Sequence, residues 1–192
     1  MGTRRLVTLL FLAGAAVAGC SDEQAKIDGS GYSYSLPDGW EDGIEAISEV
    51  EDETGVLADS VAFGERQDDF TTNVNVFREG GLPARMTAAK YAEISIAGLR
   101  EPDASGIPPD IAEQVEAAAA TDISEPRPGE LGGEDAVGWE YRSKGPEREM
   151  RVRQVAAVKD GAAYTVTLTA LPEAYDEGSD ALDEVVDSWE WE

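Results

Sequence analysis

Forty Asp and Glu side chains against 15 Lys and Arg, with no histidine and one cysteine, bound the chemistry open to these 192 residues. Without histidine there is no Ser-His-Asp or Cys-His catalysis and no imidazole ligand for a metal. With one cysteine there is no disulfide framework. Carboxylates are abundant, and Glu51-Asp52-Glu53, Asp68-Asp69 and the run from Glu173 to Asp187 are the clusters that could surround calcium. Calcium takes at least about six oxygens converging on one point, often from a loop with a glycine at its bend, and no D-x-[DN]-x-[DN]-G pattern occurs. A glycosidase-type pair needs two acids facing across a cleft, which no spacing here specifies. Ser143-Lys144 could be imagined as a Ser-Lys dyad, but it adjoins Gly145-Pro146 and reads as a hairpin tip. The expectation is no catalytic residue, no metal ligand and no cofactor, with calcium binding as a minor alternative.

Basic residues are few but clustered. Arg142, Lys144, Arg148, Arg151 and Arg153 fall within one hairpin of a chain whose formal charge is −25. Guanidinium groups offer bidentate donors, so Arg142, Arg151 and Arg153 are the candidate partner-binding residues, suited to an acidic partner or an anionic headgroup. Glu140, Glu147 and Glu149 neutralise part of that patch, and the plainer alternative is a set of exposed cross-strand ion pairs. Nucleic acid is excluded as a partner, because so acidic a chain repels phosphate backbones.

Cys20 has chemistry of another kind. Arg4 and Arg5 form a positive n-region, Leu6 to Ala18 form an apolar stretch too short to span a bilayer, and Val17-Ala18-Gly19-Cys20 closes the segment. V-A-G-C resembles the lipobox of bacterial lipoproteins, in which the cysteine is acylated and becomes the first residue of the mature chain. The domain layout expected is a cleaved signal peptide over 1–19, a lipidated flexible tether over 20–30 and one domain over 31–192. Multiple acyl chains hold a protein to a membrane where one does not. The location expected is the outer face of the cytoplasmic membrane, in the cell envelope.

The elements that follow are read from periodicity. Tyr32, Tyr34 and Leu36 alternate onto one face of a strand, and Pro37-Asp38-Gly39 turns the chain into Trp40. Residues 41–59 read mostly as loop. Ser60–Gly64 and Thr72–Phe77 read as strands around an acidic turn. Thr87–Arg100 reads as a helix capped by Thr87, with Tyr91, Ile94 and Gly98 at helical spacing. A second helix is expected over Ile111–Ala120, then a Gly- and Pro-rich connecting loop from Glu125 to Gly133. Three strands carry Val137, Trp139 and Tyr141; Met150, Val152 and Ala156; and Tyr164, Val166 and Leu168. A four-residue loop over 143–146 would set Arg142 opposite Glu147. The register expected is that of a three-residue loop, Lys159-Asp160-Gly161, which pairs Val158 with Ala162 and gathers every apolar set on one face; a two-residue Asp160-Gly161 turn would split them across both. The last helix shows Leu182, Val185, Val186 and Trp189 on one side, with Asp180, Asp183, Glu184 and Asp187 on the other. Trp40 and Trp139 read as core, whereas alternation at the chain end leaves one of Trp189 and Trp191 exposed.

The segments YSYSLPDGW, NVNVF, TAAKYAE and GAAYTVTLTALPEAYDEGSDALDEVVDSWEW resemble the PsbP-like superfamily, which also holds the Ran-binding Mog proteins, and within it the actinobacterial lipoproteins of the mycobacterial Lpq type. The resemblance spans residues 31–192 and implies an α+β fold: an α/β/α sandwich whose central, largely antiparallel twisted sheet is flanked by helices. It implies non-enzymatic work as an accessory domain docking onto a cell-envelope protein complex, with a carrier or sensor of a lipid or apolar small molecule as the alternative. The partners expected are the membrane, through the acyl group on Cys20, an envelope protein, and a lipid ligand in the alternative.

Overall fold

The computed structural model describes residues 25–45, 58–67, 69–101, 120–144 and 148–192. In chain order the elements are β1 (Lys26–Gly29), β2 (Tyr32–Ser35), β3 (Glu41–Asp42), β4 (Ser60–Gln67), β5 (Phe70–Glu79), α1 (Ala88–Arg100), β6 (Ala120–Thr121), β7 (Arg127–Leu131), β8 (Glu134–Lys144), β9 (Glu149–Lys159), β10 (Ala162–Ala170), α2 (Tyr175–Asp187) and β11 (Glu190–Trp191). The large sheet runs β3-β4-β5-β10-β9-β8, with β6 and β7 both paired to the outer edge of β8. Each of its pairings is antiparallel. A second, three-stranded sheet runs β1-β2-β11.

Both faces of the large sheet are buried. On one, Val74, Val76, Val166, Leu168 and Tyr164 pack against Leu182 and Val185 of α2 and against Ile27, Tyr32 and Tyr34 of the small sheet. On the other, Val137, Trp139, Tyr141, Val152 and Ala156 pack against Ala88, Ala92 and Ile96 of α1. The result is the expected α/β/α sandwich, with the small sheet sharing the α2 layer.

Double burial decides the β9–β10 register. Lys159 pairs with Ala162 across a two-residue Asp160-Gly161 turn whose φ values are 50° and 75°. Two left-handed residues make the type I′ geometry that matches strand twist. This replaces the expected three-residue loop with Val158 opposite Ala162: that loop suits a sheet with one apolar face, and here the split set of side chains supplies two cores. In the β8–β9 hairpin Arg142 pairs with Arg151, not Glu147, and Trp139 faces Gln154. That displacement is an even number of residues, so Val137, Trp139, Tyr141, Val152 and Ala156 still share one face.

Other expectations are corrected at the edges. Part of the segment expected as a tether over 20–30 is a strand: Lys26–Gly29 pairs with β2, and Ile27 is buried in the core. The loop read over 125–133 contains β7, which pairs Arg127 through Leu131 with Gly138 through Glu134. Pro128 is tolerated because β7 is an edge strand, where a missing N–H faces outward. Residues 41–59 do contain one short strand, β3, paired with Ala62 and Phe63; residues 46–57 lie outside the described ones. The helix expected over Ile111–Ala120 also lies outside them, except Ala120, which is in β6. Thr87 does cap α1, its Oγ1 accepting from the Lys90 N–H at 3.2 Å. The buried stripe of that helix is Ala88, Ala92 and Ile96, however, and Gly98 is exposed. Small side chains let α1 approach the sheet where Trp139 already fills the space.

The chain ends meet over the α2 face. The Tyr32 ring stacks on Trp189 at 4.1 Å, Tyr34 lies parallel beyond it, and Tyr164 meets Tyr32 edge-on at 5.8 Å. The phenols of Tyr32 and Tyr34 share the Ser60 hydroxyl at 2.8 and 3.2 Å. Trp189 is buried, while Trp191 is partly buried and donates its indole N–H to the Leu131 carbonyl at 3.1 Å. The Gly132-Gly133 turn of the β7–β8 hairpin, φ 56° and 80°, passes beneath those rings. A Cβ on Gly132 would lie 2.6 Å from Trp191 Nε1 and 2.8 Å from Trp189 Cδ1, whereas one on Gly133 would meet nothing within 4 Å.

Two outcomes follow from this packing. Gly132→Ala is expected to cost roughly 2–3 kcal/mol in urea unfolding, and Gly133→Ala only the left-handed strain of about 1 kcal/mol; equal losses would remove the ring contact as the cause. Burial holds the Tyr32, Tyr34 and Tyr141 phenols well above the ordinary tyrosine value. A raised folded-state pKa favours the protonated form, so this stabilisation is complete below about pH 10 and declines as pH rises beyond it. Ultraviolet titration should show these phenols un-ionised above roughly pH 11 for as long as circular dichroism stays native. Ionisation of all six tyrosines together, with the fold intact, would contradict their placement.

Candidate functional site

The three arginines singled out by charge clustering are brought together. Arg142 and Arg151 stand directly opposite on β8 and β9, and Arg153 lies opposite Glu140. Strand alternation sends them to the side away from Trp139. α2 packs on that side, and its carboxylates together with those of the neighbouring strands meet the arginines.

Each arginine meets a carboxylate. Arg153 donates to Ser179 Oγ at 2.6 Å and to Asp183 Oδ1 at 2.7 Å, both on α2. Arg151 lays its guanidinium on the Tyr175 ring, 3.4 Å from the centroid, with Glu140 at 3.5 Å and Asp176 at 4.0 Å. Arg142 donates to Glu149 at 2.8 Å and has Asp122 at 3.5 Å. Two arginines directly opposite repel each other; the carboxylates around them relieve that repulsion. Burial, reinforced by nearby Glu140, raises the Tyr175 phenol above its ordinary value, so it stays a neutral platform for the cation.

The arrangement is thus first a clamp between sheet and helix. Its outer rim, where the Arg142 side chain is 49% exposed, is the part a partner could reach. Sequence reasoning missed Tyr175, Ser179 and Asp183 as the partners of these arginines. Their spacing places Tyr175, Ser179 and Asp183 on successive turns of one helical face, but nothing local says which strand that face meets.

The remaining charged clusters are dispersed. Asp69, in the β4–β5 turn, pairs with Arg148 at the start of β9, which pulls its carboxyl below the ordinary value. The acids of α2 point outward along its length, and Asp176 and Glu177 favour its N-terminal dipole. Among the described residues no three Asp, Glu, His or Cys side chains gather as a metal site would require. No helix among them is long and apolar enough to cross a membrane. Cys20, Glu51-Asp52-Glu53 and Asp68 lie outside the described residues.

No protein-family model and no curated protein sequence matches the chain. Solved structures do. The solution structure of cyanobacterial PsbP from Synechocystis superposes with a TM-score of 0.58 at 15% identity, over 93% of this chain and 98% of that one. The crystal structure of LpqN of Mycobacterium tuberculosis, described as involved in cell envelope biogenesis, superposes with a TM-score of 0.52 at 14% identity, over 88% and 90%. The fold is PsbP-like. At such identities the likeness is one of architecture, on which function is placed separately.

The clamp predicts an order of stability effects. Arg153→Glu would set a carboxylate against Asp183 beneath α2 and is expected to cost roughly 1–3 kcal/mol. Arg142→Glu, at the exposed rim, is expected to cost less than about 1 kcal/mol. Thermal melts of the two variants check this; a larger loss for Arg142→Glu would mean that α2 is not held through Arg153.

Proposed function

We propose that this chain is an exported, lipid-anchored accessory domain on the outer face of the cytoplasmic membrane, docking without catalysis onto a cell-envelope protein complex. The observation that carries the reading is the join between signal and fold. The V-A-G-C segment ends at Cys20, and β1, already part of the core, begins at Lys26. Five residues, Ser21 to Ala25, stand between Cys20 and β1, and even a fully extended chain of that length reaches only about 17 Å. A domain held that close works at the bilayer surface, on partners embedded there.

The likeness to LpqN, a protein described as taking part in cell envelope biogenesis, supports the same location. The exposed rim of the clamp, Arg142 with the outer edge of Arg151, is the docking point this reading assigns, facing an acidic surface of the complex. Packing favours docking over carriage of an apolar ligand on the α2 side. Tyr32, Tyr34, Leu168, Leu182 and Val185 are fully buried against one another there. The cleft between Trp40, Thr72 and the first turn of α2 encloses about 10 Å³, room for one water.

Cys20→Ser is expected to leave the thermal melt unchanged, because the residue precedes every described element of the fold, and to move the protein from the membrane pellet to the soluble fraction. If the variant still pellets with membranes after a high-salt wash, the thiol is not the anchor and the reading fails.

A further inference from the structure

The chain enters the domain at one end of α2 and carries its arginine clamp at the other. Ala25 is already fixed, its carbonyl accepting from the Leu36 N–H at 2.7 Å, and Lys26 pairs with Ser35 across β1 and β2. Ser35 donates its N–H to Ser188 Oγ at the C-terminal end of α2, and Lys26 Nζ meets Glu190 at 2.8 Å just beyond it. The arginines belong to the opposite end. Arg151 lies on the ring of Tyr175, the first residue of the helix, and pairs with Ala170 at the end of β10. Arg142 stands opposite Arg151, and the exposed Lys144 continues β8 beyond it. Thirteen residues of helix separate the two ends, about 20 Å along its axis.

A tether reaching at most about 17 Å restricts how the domain can sit on a bilayer. The small sheet that carries Lys26 shares the layer of α2, and α1 lies on the far face of the large sheet. With α1 down, Ala25 would be held two layer spacings away, roughly 20 Å before the thickness of α1 is added, and the tether does not span that. With the side of α2 down, Asp176, Glu177, Asp180, Asp183, Glu184 and Asp187 would meet the headgroup phosphates. All six are exposed and the helix carries no Lys or Arg to offset them, so that pose is repelled and desolvates carboxylates. The end of α2 beside the tether offers instead the Lys26–Glu190 pair, Ser35 and Ser188, next to Asp187.

We propose that the anchored domain stands on the C-terminal end of α2, so that the Arg142 rim points away from the bilayer and takes an acidic surface on the extracytoplasmic part of a protein partner. This stance rests on the lipid anchor at Cys20, and it deepens the docking reading by fixing what the rim can meet. A headgroup phosphate and a carboxylate offer a guanidinium the same paired acceptors. Height separates them. The rim is carried one helix length, about 20 Å, above the end that the tether holds to the lipids. That gap is more than two Debye lengths at physiological salt, so headgroup charge is screened from Arg142 and Lys144. A partner must therefore bring its acids to that height, on a domain that projects from the membrane.

The test uses the acylated chain, in which the Cys20 thiol is blocked and a single introduced cysteine takes a fluorophore. Asp187→Cys labels the C-terminal end of α2 and Lys144→Cys the rim; both positions are exposed. In phosphatidylcholine vesicles containing a headgroup spin-labelled lipid, which quenches at contact range, quenching is expected at position 187 and none at position 144. In intact cells a photo-crosslinking residue at position 144 is expected to join a partner peptide rich in Asp and Glu, outside any membrane-spanning segment. Arg142→Glu is expected to abolish that adduct and to leave the quenching at position 187 unchanged. Equal quenching at the two positions, lipid adducts at position 144, a membrane-embedded partner peptide or no protein adduct would each overturn the proposal while the anchor stands. A chain that leaves the vesicles altogether, with its Cys20 thiol free, would overturn the anchor and this stance together.

Discussion

The stack of Tyr32 on Trp189 at 4.1 Å is the contact on which the rest of the α2 layer depends. It joins the first strand pair of the described chain to the residue that follows α2. Around it β11 pairs with β2, the Glu192 N–H donates to the Gly31 carbonyl, and Lys26 pairs with Glu190. Ser188, which ends α2, accepts the Ser35 N–H on its hydroxyl. The helix is thereby held at its C-terminal end by aromatic burial and near its N-terminal end by the Arg151–Tyr175 and Arg153–Ser179 contacts. Aromatic pairs of this kind add about 0.5–1.5 kcal/mol beyond the area they bury. The small sheet is tied to the large one as well, through the Ser60 hydroxyl and the edge of Tyr164.

A sheet buried on both faces leaves charge only its rims and the outer sides of its helices. That constraint accounts for where the described acids go. Those of α2 line its exposed side, and Asp176 and Asp183 also reach the arginines of β9 at its margin. Of what looked in sequence like a basic patch offered to a partner, Arg151 and Arg153 serve as counter-charge to an acidic helix, while Arg142 and Arg148 meet acids outside it. Arg142 retains most exposure because it lies beyond the helix, near the tip of the β8–β9 hairpin.

The same constraint separates two kinds of buried polarity. The Tyr32–Ser60–Tyr34 hydroxyls are satisfied among themselves and serve packing. The row of Trp139, Gln154, Thr167 and Asn75 across β8, β9, β10 and β5 is not, since Trp139 Nε1 and Asn75 Oδ1 have no partner. A polar row that evades solvent and does not close on itself is an uncommon use of a core face, and it sits beside an otherwise ordinary apolar contact with α1.

Much of this was legible in the residues. The strands over 60–79 and 134–170, the Thr87 cap, the apolar stripe of α2 and the sandwich implied by family resemblance all correspond to elements present. Asp160-Gly161 carried its own type I′ signal, and that signal was outweighed by the assumption of a single apolar face. Lys26–Gly29 and Arg127–Leu131 could not be seen: each is short, polar and, in the second case, interrupted by Pro128 and Gly129, and each is a strand only because a neighbour offers its edge. The alternation T-V-T-L-T was equally visible, but alternation states only that two sides differ. By itself the sequence determined the periodicities, the caps and the side-chain phase of each strand, because these arise between residues a few positions apart. The tertiary structure alone decided which register holds, what covers the second face and whether an arginine or a threonine meets water, because those depend on surfaces tens of residues away in the chain.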